Sequence, residues 1–203
     1  MYIYFIGAVV AYLIGTISPS LIIATIKKKD IRAHGTGNLG ASNTTILLGW
    51  KWGVLVGVID ILKSFIPITV VKLLLGEYTL LPYIVAACAI LGHIFPFYMK
   101  FKGGKGLATY FGAMLGLNWA AFIVIGAVFL VVTYATDYIV VGTYTVITMF
   151  PVYLYFFVGN IPALAMFILI MIIIGYKHRM NIVRIVKGEE VGLFEAFSNK
   201  RHL

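Results

Sequence analysis

The sequence predicts an all-α, polytopic integral membrane protein of about seven transmembrane helices, with its N-terminus outside and its C-terminus in the cytoplasm. Composition is the first reason: the 203 residues are 62% hydrophobic and 11% charged, with mean hydropathy +1.01, whereas a soluble domain is about half apolar and a quarter charged. The second reason is that the chain divides into apolar runs close to the roughly 20 residues a bilayer-spanning helix needs. The third is that the formal net charge of +9 gathers into clusters between those runs, as in cytoplasmic loops. Residues 1–203 therefore form one integral membrane domain, with its chemistry confined to short loops and helix ends.

The first run, Tyr2 to Ile26, has no basic residue before it, and Lys27, Lys28, Lys29 and Arg32 follow at once. That charge order is the reverse of a cleavable signal peptide, so the run is a retained helix with its lysine cluster inside. Asp30 to Trp50 is rich in Gly, Asn and Thr and too polar to span. A second helix runs from about Trp52 to Leu75, breaks at Gly76-Glu77-Tyr78, and gives way to a third from about Thr79 to Tyr98. Basic residues return at Lys100, Lys102 and Lys105. The apolar stretch from Leu107 to Ala135 is long for one span and is interrupted at Asn118-Trp119. Two more helices, about Ile139 to Phe157 and Pro162 to Tyr176, precede a third basic cluster at Lys177, His178, Arg179 and Arg184. If the second and third basic clusters are both cytoplasmic, an even number of crossings separates them, so the 107–135 stretch crosses twice. Its first half, Leu107 to Leu117, is short and needs protein neighbours or local thinning of the bilayer. On this map all of the 16 Lys and Arg except Lys51, Lys63 and Lys72 lie in inner loops or the tail.

A one-sided basic surface on a membrane protein points to anionic headgroups, phosphorylated substrates and topology signals. Nucleic acid is excluded as a partner, because no segment is long enough for a basic soluble module. The lone Cys88 rules out a disulfide framework and reads as a small buried hydrophobe. His34, His93, His178 and His202 show no HExxH or Cys/His ligand spacing, so no metal and no cofactor is expected. Asp60 and Lys63 lie three apart inside the second helix, on one face, where they pair with each other. The pair reads either as a structural ion pair or as a source of positive charge, from Lys63, for an anion site at the inner surface. Lys72, near the outer end, is expected to reach the headgroups.

Two polar segments carry more than anchoring requires. Gly35-Thr36-Gly37-Asn38-Leu39-Gly40 formally matches GxGxxG, but it lacks the strand, soluble helix and downstream acid of a dinucleotide site. What survives is physical: glycines let backbone N–H groups approach an anion, Thr36, Asn38, Ser42 and Asn43 add neutral donors, and Arg32 offers a fork for phosphate. Lys102-Gly103-Gly104-Lys105-Gly106 joins point charges to an open backbone immediately before a helix N-terminus, which favours anions. It is not a Walker A motif.

Asp30-Ile31-Arg32 with Gly35 to Asn43, Gly92-His93-Ile94-Phe95-Pro96 with Phe101 to Thr109, and His178-Arg179-Met180-Asn181-Ile182 together resemble the three motif regions of the bacterial acyl-phosphate-dependent glycerol-3-phosphate acyltransferases, the PlsY type. The match runs from about Gly15 to Glu190. The resemblance implies a seven-helix fold in the bacterial plasma membrane with its active site at the cytoplasmic face. The implied reaction is transfer of a fatty acyl group from acyl phosphate to the 1-hydroxyl of glycerol 3-phosphate, giving lysophosphatidate and inorganic phosphate. It also implies membrane lipids and an acyl-phosphate-producing enzyme as partners. Carried onto this chain, it marks Thr36, Lys105, His178 and Asn181 as catalytic. It marks Arg32, Gly37, Asn38, Gly40, Asn43, His93, Lys102, Gly103, Gly104, Gly106 and Thr143 as substrate- or phosphate-binding.

None of the four histidines starts the HX4D pair of the other large class of glycerolipid acyltransferases. An acyl phosphate already carries a good leaving group, so direct attack by the substrate hydroxyl is expected, with a phosphate oxygen or His178 taking the proton. Some positions depart from the family pattern. Thr36 stands for Ser and Ser42 for Thr, both keeping a hydroxyl; Ile46 stands where Arg is common; Asp137 reverses a charge and Val140 removes a hydroxyl. A weakly active or inactive paralogue and a small anion or lipid transporter are the alternative readings. A transporter would gather its binding groups near the bilayer midplane in repeated halves, whereas here they gather at helix ends.

Overall fold

The computed structural model describes residues 2–197; His202 lies outside them. All regular structure among the described residues is helical: α1 (Tyr2–Thr16), α2 (Pro19–Ile26), α3 (Ala41–Leu48), α4 (Trp50–Leu74), α5 (Leu81–Ile94), α6 (Leu107–Leu117), α7 (Trp119–Thr136), α8 (Ile139–Tyr153), α9 (Ile161–Val186) and α10 (Leu193–Phe197). A 3-10 turn, Phe97–Met99, follows α5, and a π-helical turn, Leu154–Val158, follows α8. By length and composition 6 segments suit a membrane crossing: Tyr2–Ile26, Trp50–Leu74, Leu81–Met99, Trp119–Thr136, Ile139–Val158 and Ile161–Val186. The parity of the basic clusters predicts seven. The remaining apolar helix, α6, has 11 residues, about 16 Å at 1.5 Å per residue, half the roughly 30 Å hydrocarbon core.

The first apolar run is two helices rather than one. Pro19 has no N–H to donate and disfavours helical geometry at the residue before it. Ser18 instead caps α2, its Oγ accepting the Leu21 N–H at 3.4 Å. The break releases carbonyls that distant side chains take up: the Tyr98 hydroxyl donates to Thr16 O at 2.7 Å and Lys63 Nζ to Ile17 O at 2.8 Å. Two other boundaries differ from expectation. The polar stretch before Trp50 contains α3, and α9 continues past Tyr176 to Val186, because backbone bonding does not stop where apolar composition does.

The chain forms two compact units, Met1–Trp119 and Ala120–Leu203. In the first, α5 is central, packed by α1, α4 and α6, with Leu81, Val85, Ala86, Ala89, Ile90 and Ile94 buried. Small residues allow backbones to touch. A Cβ on Gly15 would strike the Ala89 backbone, and one on Gly92 the backbones of Tyr12 and Thr16, the close approach by which membrane helices associate through van der Waals packing. In the second unit α8 packs on α9. Phe150 meets Phe167 edge to face, with ring centroids 5.0 Å apart, and the Tyr144 hydroxyl donates to Gly175 O at 2.8 Å. Phe5, Leu73, Leu130, Phe157 and Val186 are exposed, as lipid-facing side chains are.

Candidate active site

The segment joining α2 to α3 begins with an Asx turn, in which Asp30 Oδ1 accepts the N–H groups of Arg32 at 2.9 Å and Ala33 at 3.2 Å. Gly35 and Gly37 then adopt φ of +61° and +66°, a left-handed geometry that glycine alone takes without strain. The turn they make folds over Asn43, which is fully buried. Asn43 Oδ1 accepts the Thr36 N–H at 2.7 Å, and its Nδ2 donates to Ile31 O at 2.9 Å and His34 O at 3.3 Å. The Gly37 N–H goes to His34 O at 3.1 Å. The N–H groups of Thr36 and Gly37, expected to face an anion, therefore turn inward, and the Asn43 amide, expected at a substrate, organises the loop. Ile31 and Leu39 root the loop in an apolar cluster with Ala24 and Met99. The side chains of Arg32 and Thr36 are exposed and Asn38 is half-buried, while in the first turn of α3 Ser42 is exposed and Ala41 half-buried. Gly40, at its N-cap, gives that turn no side-chain cap.

After α5 the chain turns at Pro96, passes through left-handed Lys100 and Phe101, and folds back. Gly103 N–H donates to Ile94 O and Gly104 N–H to His93 O, both at 3.0 Å. Only glycine fits: a Cβ on Gly103 would overlap the His93 backbone, and one on Gly104 the His93 ring and Leu39 O. These glycines thus bring the loop onto α5 and onto the first loop, rather than offering their own N–H groups to a ligand. Arg32 Nη2 crosses between the loops to donate to Lys102 O at 3.3 Å. Gly106, with φ of +98°, leads into α6, whose N-terminus also lacks a side-chain cap. Lys102 is exposed and Lys105 half-buried. The first unit thus holds two helix N-termini, each with N–H groups beyond the reach of intrahelical carbonyls, each preceded by a basic glycine loop, and each suited to an anion.

Beneath the second loop lies a buried polar cluster. Lys63 Nζ is 2.8 Å from Asp60 Oδ1 and 2.8 Å from His93 Nδ1; all three residues are buried. Spacing along α4 revealed the Asp60–Lys63 pair. His93, on another helix, left no signal in the spacing.

In the second unit Thr143, His178 and Asn181 are buried. The Thr143 hydroxyl donates to Ile139 O at 2.9 Å, keeping its lone pairs for a donor. His178 Nδ1 lies 2.9 Å from Ile174 O; a carbonyl only accepts, so Nδ1 carries the proton and Nε2 is the basic nitrogen of the neutral ring. Asn181 Nδ2 donates to Glu190 Oε1, and Arg184 Nε pairs with Glu190 Oε2 at 2.7 Å. Motif spacing does not mark Glu190. The available signal was Gly188, whose φ of +69° turns the chain back after α9. Asp137, a departure from the family pattern, serves the local fold. Its Oδ1 accepts the Phe194 N–H at 3.0 Å and its backbone O the Leu193 N–H at 2.7 Å, tying α10 to the α7–α8 turn. Lys72 is exposed near the end of α4. Its Nζ donates to Gly116 O at 3.0 Å and Leu117 O at 2.9 Å, carbonyls left over at the end of α6.

Comparison with known proteins agrees with this architecture. A family model described as glycerol-3-phosphate acyltransferase matches residues 5–188. Glycerol-3-phosphate acyltransferase 1 of Oceanobacillus iheyensis is 36% identical over 204 residues, covering 97% of this chain and 98% of the relative. The glycerol-3-phosphate acyltransferase of Bacillus subtilis is 39% identical over 188 residues, covering 90% and 93%. Among solved structures, the glycerol 3-phosphate form of PlsY (YgiH), an integral membrane glycerol 3-phosphate acyltransferase, gives a TM-score of 0.87 at 33% identity, covering 93% of this chain and 94% of that one. Its lysophosphatidic acid form gives 0.84 at 32% identity, covering 95% and 97%. With a helical membrane fold, glycine loops that fold as close-packed units and matches along nearly the whole chain, the protein belongs to the PlsY family of integral membrane glycerol-3-phosphate acyltransferases.

Proposed function

We propose that this acyltransferase moves a fatty acyl group from acyl phosphate to the 1-hydroxyl of glycerol 3-phosphate, releasing lysophosphatidate and inorganic phosphate. The observation that carries the reading is the pair of uncapped helix N-termini in the first unit, α3 and α6, each entered through a basic glycine loop and tied together by Arg32. Two anion-attracting ends suit a reaction whose two substrates each bear a phosphate. The glycerol 3-phosphate and lysophosphatidic acid forms of the structural neighbour support the acceptor and the product.

In this mechanism the substrate hydroxyl oxygen attacks the acyl carbonyl carbon, the bond from that carbon to the phosphate oxygen breaks, and phosphate leaves with the electron pair. The hydroxyl proton passes to a substrate phosphate oxygen, with His178 Nε2 as the alternative acceptor. Lys105, the Thr36 hydroxyl and the α6 N-terminus stabilise charge on the carbonyl oxygen and the departing phosphate. Arg32, Asn38 and Lys102 hold phosphate. Gly37, Gly40, Gly103, Gly104 and Gly106 shape the loops, with Asn43 and His93 behind them, and the family resemblance gives Thr143 and Asn181 a part in handling the substrates. No metal or cofactor enters the scheme, and the acyl donor comes from an acyl-phosphate-producing enzyme.

The same reading makes residues 1–203 one membrane domain with seven crossings, N-terminus out, C-terminus in and the catalytic face in the cytoplasm. Support for α6 as the short seventh crossing comes from Lys72, which satisfies its last carbonyls, as a helix ending within the apolar layer requires. The test of function uses purified protein in detergent or lipid, given glycerol 3-phosphate with palmitoyl phosphate or with palmitoyl-CoA. Lysophosphatidate from the acyl phosphate alone is expected; a folded protein that makes none from either donor contradicts the reading.

A further inference from the structure

The chain that follows α9 is fastened by two carboxylates. The N–H groups of Lys187, Gly188 and Glu189 return to the carbonyls of Val183, Ile185 and Arg184 at the end of α9, and the left-handed Gly188 reverses the chain. The reversal brings Glu190 onto the face of α9 that Asn181 and Arg184 share. Glu190 Oε1 accepts from Asn181 Nδ2, and its Oε2 accepts from Arg184 Nε at 2.7 Å. A carboxylate only accepts, so the Asn181 amide must turn its NH2 toward Glu190, which fixes the rotation of that side chain.

The second fastening is Asp137, in the turn between α7 and α8. Its backbone O accepts the Leu193 N–H at 2.7 Å and its Oδ1 the Phe194 N–H at 3.0 Å. Gly192 runs so close to the same carboxylate that a Cβ there would overlap it, and the Phe194 ring meets Tyr134 of α7 edge to face, with centroids 5.3 Å apart. Val191 and Gly192 separate the two fastenings, about 10 Å of chain when fully extended, too little slack for one end to move while the other stays. Asp137 reverses the charge of the family pattern, and a basic side chain, having donors only, could not receive the Phe194 N–H. The second fastening therefore depends on a residue in which this chain departs from its family.

We propose that Asp137 is a positioning residue of the acyltransferase site: by holding the segment 188–194 it keeps Glu190 against α9, and Glu190 in turn holds the Asn181 amide in one orientation. The inference rests on the reading that Asn181 handles a substrate. A segment that follows a helix opens locally at little cost when nothing ties it down, so without Asp137 the Glu190 carboxylate leaves Asn181 for part of the time and the amide rotates.

The test is steady-state kinetics of the purified full-length protein in detergent or lipid with glycerol 3-phosphate and palmitoyl phosphate, beside circular dichroism and a thermal midpoint to show folding. Asp137→Ala, Asp137→Lys and Gly192→Ala, which sets a methyl against the carboxylate, should each lower kcat/KM about tenfold in a folded protein. Asp137→Asn keeps an oxygen acceptor and tolerates the left-handed φ of +61° at this position, so it should stay within about threefold of wild type. The route through Asn181 is read from a double-mutant cycle: on an Asn181→Ala background, Asp137→Ala should lower kcat/KM by less than about a further twofold. Glu190→Gln, which turns an NH2 toward one of the two donors, is the second background should Asn181→Ala be too slow to measure. Wild-type kinetics for Asp137→Ala, a loss that multiplies in full with that of the background, or an Asp137→Asn as impaired as Asp137→Ala overturns the proposal. Failure of Asp137→Ala, Asp137→Lys and Gly192→Ala all to fold also overturns it, by making the contact part of the fold alone. Failure of the underlying reading looks different: Asn181→Ala keeps the wild-type kcat/KM, or the wild type makes no lysophosphatidate from acyl phosphate.

Discussion

Arg32 is exposed at the rim of the first loop, and among the described residues its guanidinium reaches a backbone carbonyl of the second loop through Nη2, so most of its donors remain for a phosphate. Replacing it by Ala should raise the KM for glycerol 3-phosphate about tenfold or more, the worth of a charge-assisted hydrogen bond; an unchanged KM would remove Arg32 from the phosphate site. His178→Ala tests the proton's destination. If a substrate phosphate takes it, kcat should fall by less than the roughly hundredfold minimum typical of a lost general base, and a larger loss at unchanged KM would assign the proton to His178. Ile46 occupies a position where the family commonly carries Arg, and its Cγ2 lies 3.6 Å from where a Gly35 Cβ would stand. Ile46→Arg should lower the KM for a phosphate substrate several-fold, and steady-state kinetics would show it. At this scale the sequence disclosed residue types better than roles. Thr36, Gly37 and Asn43 were legible as a polar glycine turn, but whether an N–H or an amide faces a ligand or the loop's own carbonyls depends on where residues distant in sequence sit.

Helix boundaries followed from composition wherever lipid burial and backbone bonding coincide, as in α4, α5 and α7, and diverged where they part. Pro19 divides a continuous apolar run, while Lys177 to Arg184 continue a helix after apolar composition ends. The short α6 was legible from the break at Asn118, but its satisfaction by Lys72, on α4, was not, because nothing in spacing links two helices. Lys72→Met strips the Gly116 and Leu117 carbonyls of their donor and should cost about 1–3 kcal/mol, seen as a lower thermal midpoint in detergent. Gly104→Ala places a methyl against the His93 ring and Leu39 O. The loop must then lift from α5, and acyl transfer should fall steeply while the helical content in circular dichroism stays near wild type.

For the whole molecule, composition alone excluded a soluble domain and disclosed a multi-pass membrane protein, and three ordered motifs disclosed its family. The distribution of 16 Lys and Arg predicts sidedness. In a cysteine-free background made by Cys88→Ser, single cysteines at Glu77 or Gly159 should react with an impermeant reagent added outside intact cells, and those at Lys102 or Lys187 only after permeabilisation. The central claim is chemical: basic glycine loops leading to uncapped helix ends hold two phosphates while an acyl group passes between substrates. The most direct measurement is lysophosphatidate formation by the purified protein from glycerol 3-phosphate with palmitoyl phosphate, set beside palmitoyl-CoA. Product from palmitoyl phosphate alone, with one inorganic phosphate released per lysophosphatidate, is the predicted result. Product from palmitoyl-CoA, or none from either donor while the protein remains folded, would contradict it.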